Sequence, residues 1–250
     1  MRMEDQYPKV TLHVPCAGDT NSNWAVSPKH IFRMQGPIER YTWDGEGPFP
    51  VYTPAMDPDG LPAYFRDTLG DTLFLDVDSG GKAGVLAWTE EDGLRPVLRW
   101  PGTFEHFAVR FGTDGTDMVW VEGVGKQKST YIAEKMTLMT APYSLDAATV
   151  EATKREIGPD PIQSGGGTFP VAVGCGHAAT LFVTPAGPTQ SVGLLIVRLS
   201  DGMRWTVKGN VPAYPINGVG VTCDYVYAVI IGRGLIRVPI ASLPPGGSPP

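Results

Sequence analysis

The chain has 250 residues, including 31 Gly and 24 Pro, with a hydrophobic fraction of 42% and a formal net charge of -6. So many residues that break helices exclude a mainly helical protein, and the apolar fraction excludes a disordered one. With only 20 Lys and Arg, a nucleic-acid partner is disfavoured, because neutralising phosphates requires clustered cations. No apolar run reaches the length of a membrane span, so we expect none.

The N-terminal segment contains one strand-like stretch. Residues 1–6 lack the apolar core of a signal peptide. The compartment therefore stays open between the cytoplasm and export with a leader removed. Residues 10–14 (VTLHV) alternate apolar and polar side chains, which is typical of a β-strand.

From this point on, one short pattern recurs five times. A turn is followed by a hydrophobic triplet that ends in an aromatic residue, and then by another apolar strand. The last residues of successive triplets are 42, 46, 62 and 45 positions apart, which is the spacing of propeller blades. The triplets are residues 30–32 (HIF), 72–74 (TLF), 118–120 (MVW), 180–182 (TLF) and 225–227 (YVY).

The repeats predict an all-β fold, a five-bladed β-propeller with four-stranded antiparallel blades in one domain. The fifth repeat has three strands before a Pro-rich end, and residues 9–15 belong to no complete blade. We therefore expect this N-terminal strand to close the last blade, since closure removes exposed sheet edges. A piece of a longer propeller and a β-sandwich with a chance repeat remain as alternatives. The predicted blades are residues 24–53, 64–100, 107–157, 169–208, and 216–243 together with 9–15.

The third repeat is the longest and the least clear. Residues 144–155 are compatible with a short helix that has Ser144 as its N-cap. The second half of the same stretch is equally compatible with the outer strand of the blade.

These repeats resemble β-propeller proteins with irregular blades, of the kind found among uncharacterised bacterial secreted or lipid-anchored proteins. The resemblance covers residues 9–243. The WD40 signature is absent as a set, since the dipeptide Trp43 and Asp44 occurs in one blade of five. The resemblance implies a disc that binds through its loop-rich faces, and it implies no catalytic residue.

The residue types needed for catalysis or metal binding do not form a cluster that the sequence predicts. Three cysteines do not make a disulfide framework, and we expect Cys175 and Cys223 to be buried thiols, with the state of Cys16 left open. The calcium-like stretch at residues 76–81 is interpreted as a hairpin turn. Carboxylates at Asp67, Glu105, Asp114 and Asp224 fall at different heights along their blades, unlike the facing pair of a glycosidase. We expect no catalytic residue, no metal and no cofactor.

The aromatic residues give the better functional signal. If every blade's first strand enters from the same face, its first residues surround the mouth of the central channel. Flat apolar rings beside hydrogen-bonding groups suit a small polar ligand such as a sugar, or a peptide. The predicted ligand-binding residues are Trp24, Tyr64, His106, Tyr214 and Asn217.

We thus predict a monomeric, non-catalytic binding or scaffolding propeller that presents its loop faces to a protein or glycan partner. The alternative is a glycan-active enzyme or lectin with its site at the mouth of the channel.

Overall fold

The protein is built from five antiparallel sheets. The computed structural model describes residues 23–57, 60, 62–79, 82–99, 106–124, 135–159, 171–184, 191–212, 216–230, 234–245 and 247. Each sheet consists of strands that are consecutive in the chain, so each is a simple meander. The first two sheets comprise β1 (Asn23–Val26), β2 (His30–Met34), β3 (Ile38–Thr42) and β4 (Phe49–Tyr52), and then β5 (Ala63–Leu69), β6 (Thr72–Ser79), β7 (Lys82–Thr89) and β8 (Gly93–Arg99).

The third and fourth sheets also have four strands, and the described part of the last has three. The third comprises β9 (His106–Thr113), β10 (Asp117–Val124), β11 (Lys135–Pro142) and β12 (Arg155–Pro159). The fourth comprises β13 (Val171–Gly174), β14 (His177–Thr184), β15 (Ser191–Arg198) and β16 (Arg204–Pro212). The last comprises β17 (Ile216–Val221), β18 (Tyr225–Ile230) and β19 (Gly234–Pro239).

The unclear stretch of the third repeat contains both predicted elements in succession. Helix α1 (Ala147–Thr153) comes first, and the outer strand β12 follows it directly. The helix is capped by Asp146, whose side chain accepts a hydrogen bond from the backbone N–H of Thr149, so the predicted cap at Ser144 is wrong by two residues. Val150 is the buried residue of the helix, and it packs into the core between the second and third sheets.

All five hydrophobic triplets lie in the second strand of their sheet, in β2, β6, β10, β14 and β18. A second strand has a neighbour on each side, so its residues are covered both within the sheet and by the next sheet. Accordingly Phe32, Phe74 and Trp120 are fully buried. The period of the sequence therefore marks a buried inner strand in the first three repeats.

Successive sheets pack face to face through four buried apolar clusters, which lie between sheets one and two, two and three, three and four, and four and five. The first strands of successive sheets, β1, β5, β9, β13 and β17, are neighbours in that order. Consecutive antiparallel meanders that pack in this way, with their first strands innermost, form a five-bladed β-propeller, as predicted. Five separate sheets also rule out the alternative of a sandwich of two.

The junction between the last blade and the first differs from the other four. Among the described residues, no buried apolar cluster joins blade 5 to blade 1. The predicted closing strand, residues 9–15, lies outside the described residues. Closure by this segment therefore stays a prediction.

Candidate functional site

Four of the five predicted ligand-binding residues lie on first strands. Trp24 is in β1, Tyr64 in β5, His106 at the start of β9 and Asn217 in β17. Tyr214 lies outside the described residues, and the side chains of His106 and Asn217 do so as well. The strands of Trp24 and Tyr64 are direct neighbours, so the site is built from these two residues, which we call the aromatic pair.

Trp24 is exposed beside a partly buried ion pair. Its side chain is 39% exposed, and it lies directly opposite Arg33 of β2. Arg33 in turn lies opposite Glu39 of β3, and its Nη2 is 2.7 Å from Glu39 Oε2. Tyr41 completes this polar group, because its hydroxyl donates to Glu39 at 3.4 Å and its ring lies 5.4 Å from the Arg33 guanidinium. Directly opposite residues share one face of a sheet, so an aromatic ring and a fixed charged pair adjoin on blade 1.

Tyr64 also lies beside an ion pair, on the face of blade 2 that is turned toward blade 3. Its side chain is 49% exposed, and it lies directly opposite Asp76 of β6. Asp76 Oδ2 is 2.8 Å from Nε of Arg66, which is two residues beyond Tyr64 on the same strand. The Arg66 side chain is nine-tenths buried, and its Nη2 has no hydrogen-bond partner among the residues that the structure describes. A buried donor without a partner is costly, so this guanidinium retains capacity for an oxygen acceptor.

The ion-pair residues Arg33, Glu39, Arg66 and Asp76 were not predicted from the sequence. A signal for the pair on blade 1 exists, because opposite charges stand at positions that face each other across the short hairpin of β2 and β3. On blade 2 the pairing register shifts between Phe65 and Asp67, so Arg66 is the extra residue of a β-bulge. Such a bulge re-aims a side chain in a way that strand periodicity does not show.

Asp67 directly follows Arg66 in the chain, and its carboxylate is largely buried. Burial raises the pKa of the Asp67 carboxyl above its ordinary value of 3.8, and hydrogen bonds from the backbone N–H groups of Thr68 and Thr113 offset part of that shift. The bond from Thr68 is 2.8 Å long. Since Thr113 belongs to β9, Asp67 connects the first strands of blades 2 and 3.

The prediction that Cys175 and Cys223 are buried thiols is wrong. Cys175 and Cys223 form a disulfide with a Cα–Cα distance of 5.1 Å, and both residues are exposed. They occupy matching turns of blades 4 and 5, and the two blades approach closely enough there for a covalent bond. Cys16 lies outside the described residues.

The described residues contain no group of three or more His, Cys, Asp or Glu side chains placed to hold a metal ion. They also contain no helix long and apolar enough to cross a membrane.

No protein-family model matches the chain. A search of curated proteins also gave no match.

Solved structures do resemble the chain. A prolyl endopeptidase is 15% identical, with a TM-score of 0.44 over 90% of this chain and 33% of its own. An uncharacterized protein of Listeria monocytogenes is 12% identical, with a TM-score of 0.45 over 88% of this chain and 65% of its own. An endo-arabinase from Bacteroides thetaiotaomicron is 10% identical, with a TM-score of 0.41 over 90% of this chain and 95% of its own. The chain thus spans a third of the length of the first of these proteins.

Proposed function

We propose that this propeller is a non-catalytic, monomeric binding module whose ligand is a glycan held at the first strands of blades 1 and 2. The observation that carries the proposal is the aromatic pair, Trp24 and Tyr64. Both rings are exposed on neighbouring strands, and each lies beside an arginine–carboxylate pair that is mostly buried.

A sugar ring suits this combination of groups. Its apolar C–H face packs on an aromatic ring, while its hydroxyls need donors and acceptors that are already in place. Arg33 and Arg66 are held by Glu39 and Asp76, so their positions are set before a ligand arrives. Preorganised groups lower the entropy that binding costs.

A protein partner fits the same surface less well. Specific protein interfaces bury at least about 1,000 Å² around an apolar centre. The aromatic pair consists of two side chains flanked by charged residues rather than a continuous apolar patch. The formal charge of -6 also disfavours strongly anionic glycans, because like charges repel at long range. We therefore expect a neutral or weakly acidic oligosaccharide.

A glycan array tests this proposal. Fluorescently labelled protein is screened against neutral, carboxylated and sulfated oligosaccharides, and the Kd of the strongest hit is measured by calorimetry. We expect hits among the first two classes. Tyr64→Ala and Trp24→Ala should each weaken binding by about tenfold or more, which corresponds to about 1.4 kcal/mol.

Trp43→Ala is the matched control. Trp43 is 41% exposed on the same blade, but it lies in the connection between β3 and β4 and donates its Nε1–H to the backbone oxygens of Ser27 and Pro28. Its removal should leave the Kd unchanged. A blank array, or equal Kd values for the aromatic-pair variants and the wild type, would overturn the proposal and favour a protein-scaffolding role.

The alternative function is a glycan-active enzyme, and Asp67 is the observation in its favour. A carboxyl group whose pKa is raised by burial has the property of a general acid, and Asp67 lies on the first strand of blade 2. Turnover of aryl glycosides that Asp67→Asn abolishes, while the folded state is kept, would establish catalysis. Turnover that survives this substitution would remove Asp67 from any such mechanism.

A further inference from the structure

The last two blades are joined covalently at matching turns. Cys175 stands in the turn between β13 and β14, and Cys223 stands in the turn between β17 and β18. The two cysteines are 48 residues apart in the chain. Because both are exposed, dissolved thiols and oxidoreductases reach this bond without unfolding of the protein.

The backbone brings the two turns together. A Cβ atom on Gly174 would lie 2.6 Å from the carbonyl oxygen of Val221, so β13 and β17 are in van der Waals contact just before the turns begin. This approach requires glycine at position 174, and it places the next residue, Cys175, within reach of Cys223. The bond is therefore a consequence of how blades 4 and 5 pack.

Cys175 itself has an unusual backbone conformation. Its φ angle is +48°, in the left-handed region where Gly, Asn and Asp are the common residues. Among the described residues other than glycine, it alone has a positive φ. A cysteine at this position is conformationally unfavourable unless its sulfur makes an interaction that another turn residue cannot make.

We propose that the Cys175–Cys223 disulfide is an oxidation-dependent clasp of the last blade, and that the protein works in an oxidising compartment. Its two thiols lose two protons and two electrons as the S–S bond forms. A disulfide of the thiol–disulfide oxidoreductase class accepts them and becomes a dithiol. Disulfides persist outside the reducing cytosol, so the clasp favours export over the cytoplasmic alternative.

The clasp restrains blade 5, whose other neighbour is blade 1. Blade 5 packs on blade 4 through the cluster around Trp205, Val226 and Ala228, but no buried cluster in the described residues joins it to blade 1. A bond between blades 4 and 5 therefore restrains a blade that, in the described part of the chain, has a buried cluster on one face only. Reduction should therefore loosen blade 5 before the rest of the protein.

Mass spectrometry and thermal melting test the clasp on the full chain. Protein exported to an oxidising compartment should carry a peptide that links Cys175 to Cys223, and it should have the intact mass of a chain lacking two hydrogens. Dithiothreitol should lower Tm by about 10 °C, as expected for the opening of a loop of this length. Hydrogen exchange should then increase in β17, β18 and β19 more than in the strands of blade 2.

Two cysteine variants serve as controls for this test. Cys16→Ser should retain both the link and the sensitivity of Tm to dithiothreitol. Cys223→Ser should melt near the temperature of the reduced wild type and show no response to dithiothreitol. Two free thiols at positions 175 and 223 in exported protein, a link to Cys16, or a Tm that reduction leaves unchanged would each overturn the proposal.

Discussion

Lys29 of blade 1 and Asp71 of blade 2 form an ion pair of 3.0 Å between the first turns of neighbouring blades. The next three pairs of first turns are connected as well. Asp114 Oδ2 of blade 3 accepts a hydrogen bond of 3.2 Å from the backbone N–H of Cys175, and the disulfide joins Cys175 to blade 5. Between blades 2 and 3 the contact is apolar, because Gly115 lies against the side chain of Leu69. The first turns of five successive blades are thus linked in series.

This series of contacts has a consequence for the proposed site. Trp24 and Tyr64 lie on first strands whose ends are held by the turns that contain Lys29 and Asp71. The ion pair is exposed, so its contribution to stability is small. The direct packing of β1 against β5 therefore does more than this ion pair to fix the spacing of the aromatic pair.

Gly174→Ala should destabilise the protein. The added methyl would collide with the backbone carbonyl of Val221, which cannot rotate away as a side chain can. Overpacking of this kind costs about 1 to 3 kcal/mol. Urea unfolding under non-reducing conditions measures the loss.

Gly220→Ala is the matched control on the neighbouring first strand. A Cβ atom there would have no heavy atom of the described residues within 4 Å, and the φ angle of Gly220 is not positive. We expect a change within about 0.5 kcal/mol, or a slight stabilisation from reduced freedom of the unfolded chain. Equal costs for the two substitutions would contradict the close approach of β13 and β17.

Phe74→Ala should be among the most destabilising substitutions in blade 2. Phe74 is fully buried, and its ring centroid is 4.9 Å from that of Phe111 in blade 3. Loss of a buried phenylalanine costs about 3 to 5 kcal/mol, since it removes apolar burial and leaves a cavity. Phe49→Ala, at a phenylalanine that is 39% exposed, should cost about 1 kcal/mol or less. The denaturant midpoints of the two variants, compared with that of the wild type, measure the two losses of stability.

The repeat could be predicted from the sequence because its signals are local. An aromatic residue at the end of an apolar triplet marks a strand covered on both faces, and Gly-containing turns mark its ends. The links between blades could not be predicted, because they depend on lateral distances. Cys175 and Cys223 occupy matching turns, yet their bond requires the close contact of Gly174 with Val221. The Arg66–Asp76 pair requires a β-bulge for which the sequence gives no signal.

Stability should decrease on the acid side of neutrality because of His30. Burial lowers the pKa of the His30 imidazole below its ordinary value of 6.5, and the positive charge of Arg40 lowers it further. Lys29 acts in the same direction, while the carboxylates of Glu90 and Asp71 oppose it. Between the lowered pKa of His30 in the folded protein and its ordinary pKa in the unfolded chain, the unfolded chain binds more protons at this residue than the folded protein does. The contribution of His30 to the free energy of unfolding is therefore fully present above pH 6.5. It is lost as the pH falls through the lower pKa that His30 has in the folded protein.

His30→Phe tests this assignment. The His30 ring lies 5.8 Å from Phe32 and 5.6 Å from Trp88, so a phenylalanine finds apolar neighbours there. Urea unfolding between pH 5 and 8 should show a flatter pH dependence for the variant than for wild type. Parallel curves would show that other groups cause the acid-side loss.

Deletion of residues 1–15 should destabilise blade 5 and promote aggregation, because it removes the strand that we expect to close the ring. The connections from the last strand of one blade to the first strand of the next have 10, 6, 11 and 3 residues. Residues 15–22 would make a connection of eight between a strand at 10–14 and β1, which lies within that range. Leu235 of β19 is 60% exposed, as expected where the described residues of blades 5 and 1 share no buried cluster. A truncated protein that melts at the wild-type temperature and remains monomeric by light scattering would show that another segment covers this edge, or none. Leu12→Asp, which keeps the chain length, should reproduce the effect of the deletion if the apolar side of the strand is what packs.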